Sequence, residues 1–361
     1  MCKILSLMHI PKLPPKVGLE TVEILKQVSF ANKELAMLKG FAQAIPNDTI
    51  LLNSIMLIEA KDSSEIENII TTQDKLFSAI GLKVGTVDPA TKEVLNYRSA
   101  MWKGYESMKK RDLLTINVIL DVQKELELNN AGIRSLPGTV IINQKTGEVL
   151  HRPPEGKEVI LDLLSNLEQY INEDVDDIDP LIKLAVLHYQ FETIHPFYDG
   201  NGRTGRILNI LYLIMKGLLD SPVLYLSNYI INNKAAYYQG LKDITEKEDW
   251  HSWILYILTA IGETAKSTVR TIEGIRKLLD GTIKKVQDEL PKVYSKNLIE
   301  LLFINPYTKI SFLVDAGIAE RRTASKYLKE LEGIGVLNSQ KKSNVVYYIN
   351  HKLVNFLKAR Y

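Results

Sequence analysis

Residues 194–206 read Ile194-His195-Pro196-Phe197-Tyr198-Asp199-Gly200-Asn201-Gly202-Arg203-Thr204-Gly205-Arg206, with apolar helical patterns leading in and out. A glycine-rich turn at a helix N-terminus exposes consecutive backbone N–H groups and the positive end of the helix dipole, which together form an anion nest. Arg203 and Arg206 are three residues apart, so they share a face of the following helix. Two guanidinium groups on one face suit several phosphates rather than one. Asp199 is a hard oxygen ligand beside the nest, suited to Mg²⁺ held jointly by a carboxylate and phosphates. His195 is a base for neutral pH at the rim. The spacing is not that of a P-loop, because no Lys-Ser or Lys-Thr follows the glycines, and no strand precedes them as a dinucleotide fingerprint requires. The plainer alternative is a glycine-rich helix connection whose arginines pair with the acidic residues of 173–179.

Most of the chain around this turn has helical periodicity. Helical patterns run from Thr21 to about Ala44, over 49–60 ahead of the polar run KDSSEIEN, and from a new start at 69–72. Residues 91–130 read as two helices around Arg111-Asp112. Residues 132–156 break the rhythm. Two β-like runs, Thr139–Ile142 and Glu148–His151, flank the turn-rich Asn143-Gln144-Lys145-Thr146-Gly147 and predict a β-hairpin closed by Pro153-Pro154. Helices are expected again over 158–171, 181–193, 207–219, 228–245 and 250–287, with an acidic linker at 173–180. In the last 70 residues, helical runs at 297–304, 308–315 and 320–334 precede a strand-like Val345–Ile349, the pattern of a winged helix-turn-helix.

With 361 residues, 45% of them apolar, the chain has the composition of a globular protein of two to three domains. The expected division is 1–110, 111–290 and 291–361. The net charge is +2, which excludes a polyanion binder by bulk charge. Residues 291–361 nevertheless carry 12 basic and 5 acidic side chains, against 33 and 38 in the remainder. A lone cysteine, Cys2, excludes an intrachain disulfide and a cysteine-rich zinc site. No apolar run approaches bilayer-spanning length and no leader pattern is read, so a cytoplasmic location without membrane contact is expected.

The motif HPFYDGNGRTGR resembles that of the Fic family at every defining position, and the resemblance extends over roughly 29–361. It implies a mainly α fold, a helical Fic core with a β-hairpin flap and a small C-terminal winged-helix domain. The implied activity is transfer of AMP from ATP, with Mg²⁺, to a serine, threonine or tyrosine hydroxyl of a target protein and of the protein itself. By position, His195 looks like the base and Asp199 like the Mg²⁺ ligand. Gly200, Asn201 and Gly202 look like the hole for the α- and β-phosphates, and Arg203 and Arg206 like the ligands of the β- and γ-phosphates. Thr204 and Gly205 complete the ATP-binding stretch, and Phe197 is the expected core anchor. The phosphorylating Doc-like branch carries lysine where Gly202 stands, so glycine favours adenylyl transfer. The resemblance also makes the hairpin a flap that registers the target's main chain by strand addition.

Ser63-Ser64-Glu65-Ile66-Glu67-Asn68 matches the family's inhibitory pattern, with Ser63, Glu67 and Asn68 at its defining positions. Glu67 paired with Arg206 would occupy the place a γ-phosphate needs, and so borders the ATP site. Tyr229 and Asn232 are candidates for the adenine and ribose. Trp250 and Trp253 read as core. Arg321, Arg322, Lys326 and Lys329 are expected on one solvent face of a recognition-type helix, with DNA contact and dimerisation both open. Two other functions fit the same residues. One is hydrolytic removal of AMP, with Glu67 positioning a water. The other is a winged-helix transcription regulator with a nucleotide-sensing Fic core.

Overall fold

The computed structural model describes residues 10–43, 45, 47–80, 87–142, 147, 149–173, 177–342 and 345–359. Cys2, the hairpin turn residues 143–146 and part of the acidic linker, 174–176, lie outside them. The chain is mainly helical. It runs α1 (Val22–Gln43), α2 (Asp48–Ile66), α3 (Gln73–Ala79), α4 (Pro89–Lys109) and α5 (Ile116–Glu127) before the hairpin strands β1 (Ile141–Ile142) and β2 (Val149–His151). After them come α6 (Lys157–Asn172), α7 (Pro180–Ile194), α8 (Asn201–Met215), α9 (Ser227–Asn232), α10 (Lys234–Lys247) and the 40-residue α11 (Trp250–Glu289). The C-terminal unit comprises α12 (Lys296–Ile304), β3 (Tyr307–Thr308), α13 (Ile310–Asp315), α14 (Arg321–Gly333), β4 (Asn338–Lys342), β5 (Val345–Ile349) and α15 (His351–Lys358).

The centre of the molecule is the α7–α8 pair. Asp179 caps α7 by accepting from Leu181 N at 2.8 Å, and Pro180 follows at its first turn, a strong start signal. Nearly every residue of α7 and α8 is buried. A helix apolar on all sides belongs in a core, and each Leu or Ile so buried contributes about 1.5–3 kcal/mol. Helices α4 and α5 pack on α8, α6 and α11 pack on α7, and α1 lies along α11. Trp253 is fully buried and donates its indole N–H to Ala185 O at 2.8 Å, and Trp250 is also buried.

The structure departs from the sequence reading in three respects. Helix α2 does not end before its polar run but continues to Ile66, and Glu59, Asp62, Ser63 and Ser64 are all buried. Partners supplied by tertiary packing explain this. Glu59 accepts from Tyr97 Oη at 3.0 Å and Ser227 N at 2.9 Å, and Asp62 accepts from Asn228 Nδ2 at 3.0 Å. Buried polar groups with such bonds are tolerated in a helix that local polarity would end. Second, α8 starts at Asn201, so the arginine-bearing half of the polar turn is already helix. Third, β3 and α15 had no counterpart in the sequence reading. Strand β3 is two residues long, too short to show a period, and pairs with β5 in the order β3-β5-β4. The hairpin forms with Ile141 opposite His151 and Ile142 opposite Val149.

The C-terminal unit has three helices followed by the antiparallel β4–β5 pair. It is fastened to the body through α11 and α3. The Phe356 ring sits against Gly274 so closely that a Cβ there would lie 2.0 Å from it. Asp74 accepts from Tyr307 Oη and pairs with Lys358 Nζ. On α14, Ala324, Leu328 and Leu331 face the unit's core, whereas Arg321, Arg322, Lys326 and Lys329 are exposed.

Candidate active site

The turn between α7 and α8 is held shut by Asn201 and Phe197. The Asn201 side chain accepts from Phe197 N at 2.8 Å and donates to Phe197 O at 2.9 Å, while the Phe197 ring is fully buried near Phe191. His195 is the C-cap of α7 in the left-handed region, φ 49° and ψ 59°. That conformation costs a non-glycine residue about 1–3 kcal/mol and persists only where surroundings impose it. Gly200 has φ +75° and lies against α5, where a Cβ would be 2.5 Å from Glu127 Oε1. Only glycine fits both demands.

The His195 ring is partly buried and its Nδ1 has no hydrogen-bond partner among the described residues. Burial above all, with Arg134 and His151 nearby, lowers its pKa to about 4, against smaller upward pulls from the Glu192 carbonyl and Glu67. The imidazole is therefore neutral at pH 7, as a base must be. The first-turn N–H groups of Asn201, Gly202 and Arg203 have no acceptor within their helix and stand at its positive end. Asp199 is largely exposed, and one of its oxygens takes the Gly200 N–H at 2.7 Å.

Both arginines are buried and engaged by Glu67. Arg206 donates from Nη2 to Glu67 Oε1 at 2.8 Å, and from Nε to Ser63 Oγ at 2.7 Å. A further bond runs from its Nη2 to Ser63 O at 2.9 Å. Burial opposes its charge, but Glu67 and other neighbours hold its pKa above the ordinary value. Arg203 donates to Glu67 Oε2 at 2.9 Å, Glu127 Oε1 at 3.0 Å and Glu93 Oε2 at 3.3 Å, with Asp199 Oδ1 at 3.7 Å. Among the described residues the arginines thus meet Glu67, Glu93, Glu127 and Asp199, and none of the described acidic residues of the segment 173–179 named in the plainer alternative. Asn68, just past the C-cap of α2, has φ 65° and turns the chain away after Glu67, which suits asparagine or glycine. At Gly202 a Cβ would lie 2.6 Å from Glu67 Oε1, so this glycine leaves the carboxylate its place.

Four other predicted residues have different surroundings. Thr204 is fully buried and its Oγ1 has no hydrogen-bond partner among the described residues, and Gly205 packs against Glu192. Tyr229 is half-buried and edge-on to Tyr256, with ring centroids 5.5 Å apart. Asn232 is exposed and bonds Asn228 O at 2.8 Å. Both are on α9, which packs on α2. Sequence reading missed Glu93, Glu127 and Glu192. Glu93 and Glu127 lie 110 and 76 positions from Arg203, so no local spacing announces them. Glu192 stands three residues before His195, about one helical turn away, and that proximity was the available signal. Burial pushes its pKa up to about 7, with Arg206 opposing and Glu67 adding.

Residues 108–213 match the Fic/DOC family, residues 25–106 match the Fic/DOC family N-terminal region, and residues 278–353 match the C-terminal domain of SoFic-like protein adenylyltransferases. The chain belongs to the Fic/DOC family. The Fic fold is seen in a Fic family protein from Desulfovibrio desulfuricans at TM-score 0.60 and 20% identity, covering 93% of this chain and 98% of that one. Fic-1 from Caenorhabditis elegans aligns at TM-score 0.51 and 18% identity over 70% of this chain and 73% of that one. Protein adenylyltransferase fic-1 of Caenorhabditis briggsae is 27% identical over 131 residues, 36% of this chain. A probable protein adenylyltransferase of Aquifex aeolicus is 28% identical over 159 residues, 42% of this chain. These matches span 24% and 44% of the relatives' own lengths.

Proposed function

We propose that this Fic protein transfers AMP from ATP to a serine, threonine or tyrosine hydroxyl of a target protein and of itself, and that Glu67 holds the activity low. The relatives named protein adenylyltransferase support the reaction class. The observation that carries the reading is the pairing of a neutral, conformationally imposed His195 with the α8 N-terminus. His195 takes the proton of the target hydroxyl as its oxygen attacks the α-phosphorus; the bond to the β-phosphate bridging oxygen breaks and pyrophosphate leaves. Base catalysis contributes about 10²–10⁴-fold, and the α8 amides and the two arginines supply electrostatic stabilisation. Asp199, exposed beside the α8 N-terminus, fits Mg²⁺ as a single carboxylate whose remaining ligands are phosphates and water. Mg²⁺ would offset phosphate charge. The hairpin is the flap along which the target's main chain lies.

Glu67 acts by occupancy. Its two oxygens take both arginines, and neither arginine can serve a γ-phosphate at the same time. Incubating Glu67→Gly with radioactive ATP and Mg²⁺ tests the reading: strong self-labelling is expected, and its loss on adding His195→Ala. No labelling of Glu67→Gly would remove it. The exposed Arg321, Arg322, Lys326 and Lys329 of α14 favour a second role for the C-terminal unit, contact with DNA phosphates. Binding to labelled duplex DNA that weakens steeply with salt is expected; salt-insensitive or absent binding leaves the unit a packing module. Dimerisation, which the sequence left open, gains no support from the described residues. No helix among them is long and apolar enough to cross a membrane.

A further inference from the structure

Arg134 is fully buried in the irregular segment before the hairpin, and no carboxylate lies within ion-pair distance of it among the described residues. A buried cation without an ion partner persists only where its hydrogen bonds are well placed. Those bonds go to main-chain carbonyls of two segments. Nε donates to His195 O at 2.7 Å, and Nη2 to Pro154 O at 2.6 Å and Ile194 O at 3.3 Å. The Arg134 main-chain N–H donates to Pro196 O at 3.0 Å. Ile194 O and His195 O lie at the end of α7, where carbonyls lack helical donors, and Pro196 has no N–H to offer. Pro154 ends the chain's return from β2. One guanidinium therefore ties the catalytic-turn backbone to the hairpin's exit.

Neighbouring bonds extend the tie. On β2, the His151 Nε2 meets Thr193 O at 2.9 Å. The Tyr198 hydroxyl accepts from Ser135 N at 3.0 Å. At the hairpin's base Gly138 N donates to Glu155 Oε1 at 2.9 Å. Both ends of the hairpin are thus bonded to the turn that carries His195.

We propose that Arg134 is a positioning residue: it holds His195 in its left-handed conformation and joins flap and base into one unit, so that a target hydroxyl registered on the flap arrives at the imidazole. This rests on the transferase reading. It accounts for a feature the phosphate cradle leaves unexplained, a buried arginine whose Nε and Nη2 are spent on carbonyls while its Nη1 has no hydrogen-bond partner among the described residues. Arg134 also acts, as His151 does, to lower the His195 pKa, while the Glu192 carbonyl and Glu67 act oppositely.

The test uses the full chain with Glu67→Gly as parent, adding Arg134→Gln or Arg134→Lys. Transfer is read by intact mass, nucleotide affinity by calorimetry with ATP and Mg²⁺, and the His195 ring by NMR titration. The expected result for Arg134→Gln is a loss of at least tenfold in transfer rate, nucleotide affinity within threefold of the parent, and a raised His195 titration midpoint. Arg134→Lys keeps the charge but bonds fewer carbonyls, so an intermediate rate with a parental midpoint is expected. A parental transfer rate in Arg134→Gln, or equal losses of rate and affinity, overturns the proposal. Should Arg134→Gln not fold, a parental rate in Arg134→Lys overturns it. A parent that transfers nothing counts against the transferase reading instead, and an unchanged His195 midpoint in the folded variant then decides against Arg134.

Discussion

Glu67 and Arg206, 139 positions apart in the chain, meet at 2.8 Å, and the other oxygen of the same carboxylate lies 2.9 Å from Arg203. One side chain at the end of α2 thus bridges two cations that project from the first turns of α8. Removing it leaves Arg206 with Ser63 and leaves Arg203 with Glu93, Glu127 and Asp199. Glu67→Gly should therefore lose stability, by up to about 3 kcal/mol, since stripping one partner from a buried pair strands the other. ATP with Mg²⁺ should raise the melting temperature of Glu67→Gly more than that of the unaltered protein, because binding to the folded state alone stabilises by mass action. Differential scanning fluorimetry with and without ATP checks both parts; equal ligand shifts in the two proteins would count against competition between Glu67 and phosphate.

His195 has its pKa lowered to about 4, chiefly by burial. In Glu67→Gly the transfer rate should not fall through loss of the neutral imidazole until the pH drops below about 5. A pH–rate profile with a half-maximal point near 6.5 would contradict this. The sign for stability is the same. The unfolded chain binds the proton more readily, with a midpoint near 6.5, so the contribution of His195 is intact above that value and erodes as pH falls towards 4. His188, lowered to about 3 by burial and then Arg206, acts in the same direction.

Glu59 works in the opposite sense. Burial raises its pKa to about 7, against bonds from Ser227 and Tyr97 that pull it down. The folded state holds this proton more tightly than the unfolded chain, so its contribution is present at low pH and fades as pH rises from about 4.5 through 7. Glu59→Gln keeps the shape without the ionisation. The variant should match the unaltered protein near pH 5 and exceed it in melting temperature at pH 8. An identical pH dependence in the two proteins would show that Glu59 is not the group responsible.

Gly205 is required by its neighbour rather than by its backbone. A Cβ there would stand 2.5 Å from Glu192 Oε1 and 3.0 Å from the Phe191 ring. Gly205→Ala should destabilise by about 1–3 kcal/mol through overpacking, although alanine is the better helix former. Adding Glu192→Ser should recover much of that loss, which a double-mutant cycle by urea denaturation would measure. Additive effects would mean the two side chains do not collide.

The helical character of the body, the hairpin before the motif and the three helices of the C-terminal unit were legible because periodicity and turn residues are local signals. The extent of α2 was not, because its polar residues 59–64 are held by Tyr97, Ser227 and Asn228 from distant parts of the chain. The roles of Glu93, Glu127 and Arg134 were hidden for the same reason, since a carboxylate or guanidinium on a helix or loop reads as solvated until its partners are known.

By itself the sequence determined which groups stand at residues 195–206: an imidazole, a glycine-rich helix start, a carboxylate and two arginines on one face. Only the tertiary structure decided how those groups are held. Glu67 takes both arginines, burial keeps the His195 ring neutral, and Arg134 bonds the turn after α7 to the exit of the hairpin. The physical reason is that residue type and spacing specify local conformation, whereas burial and pairing depend on which distant segments are packed together.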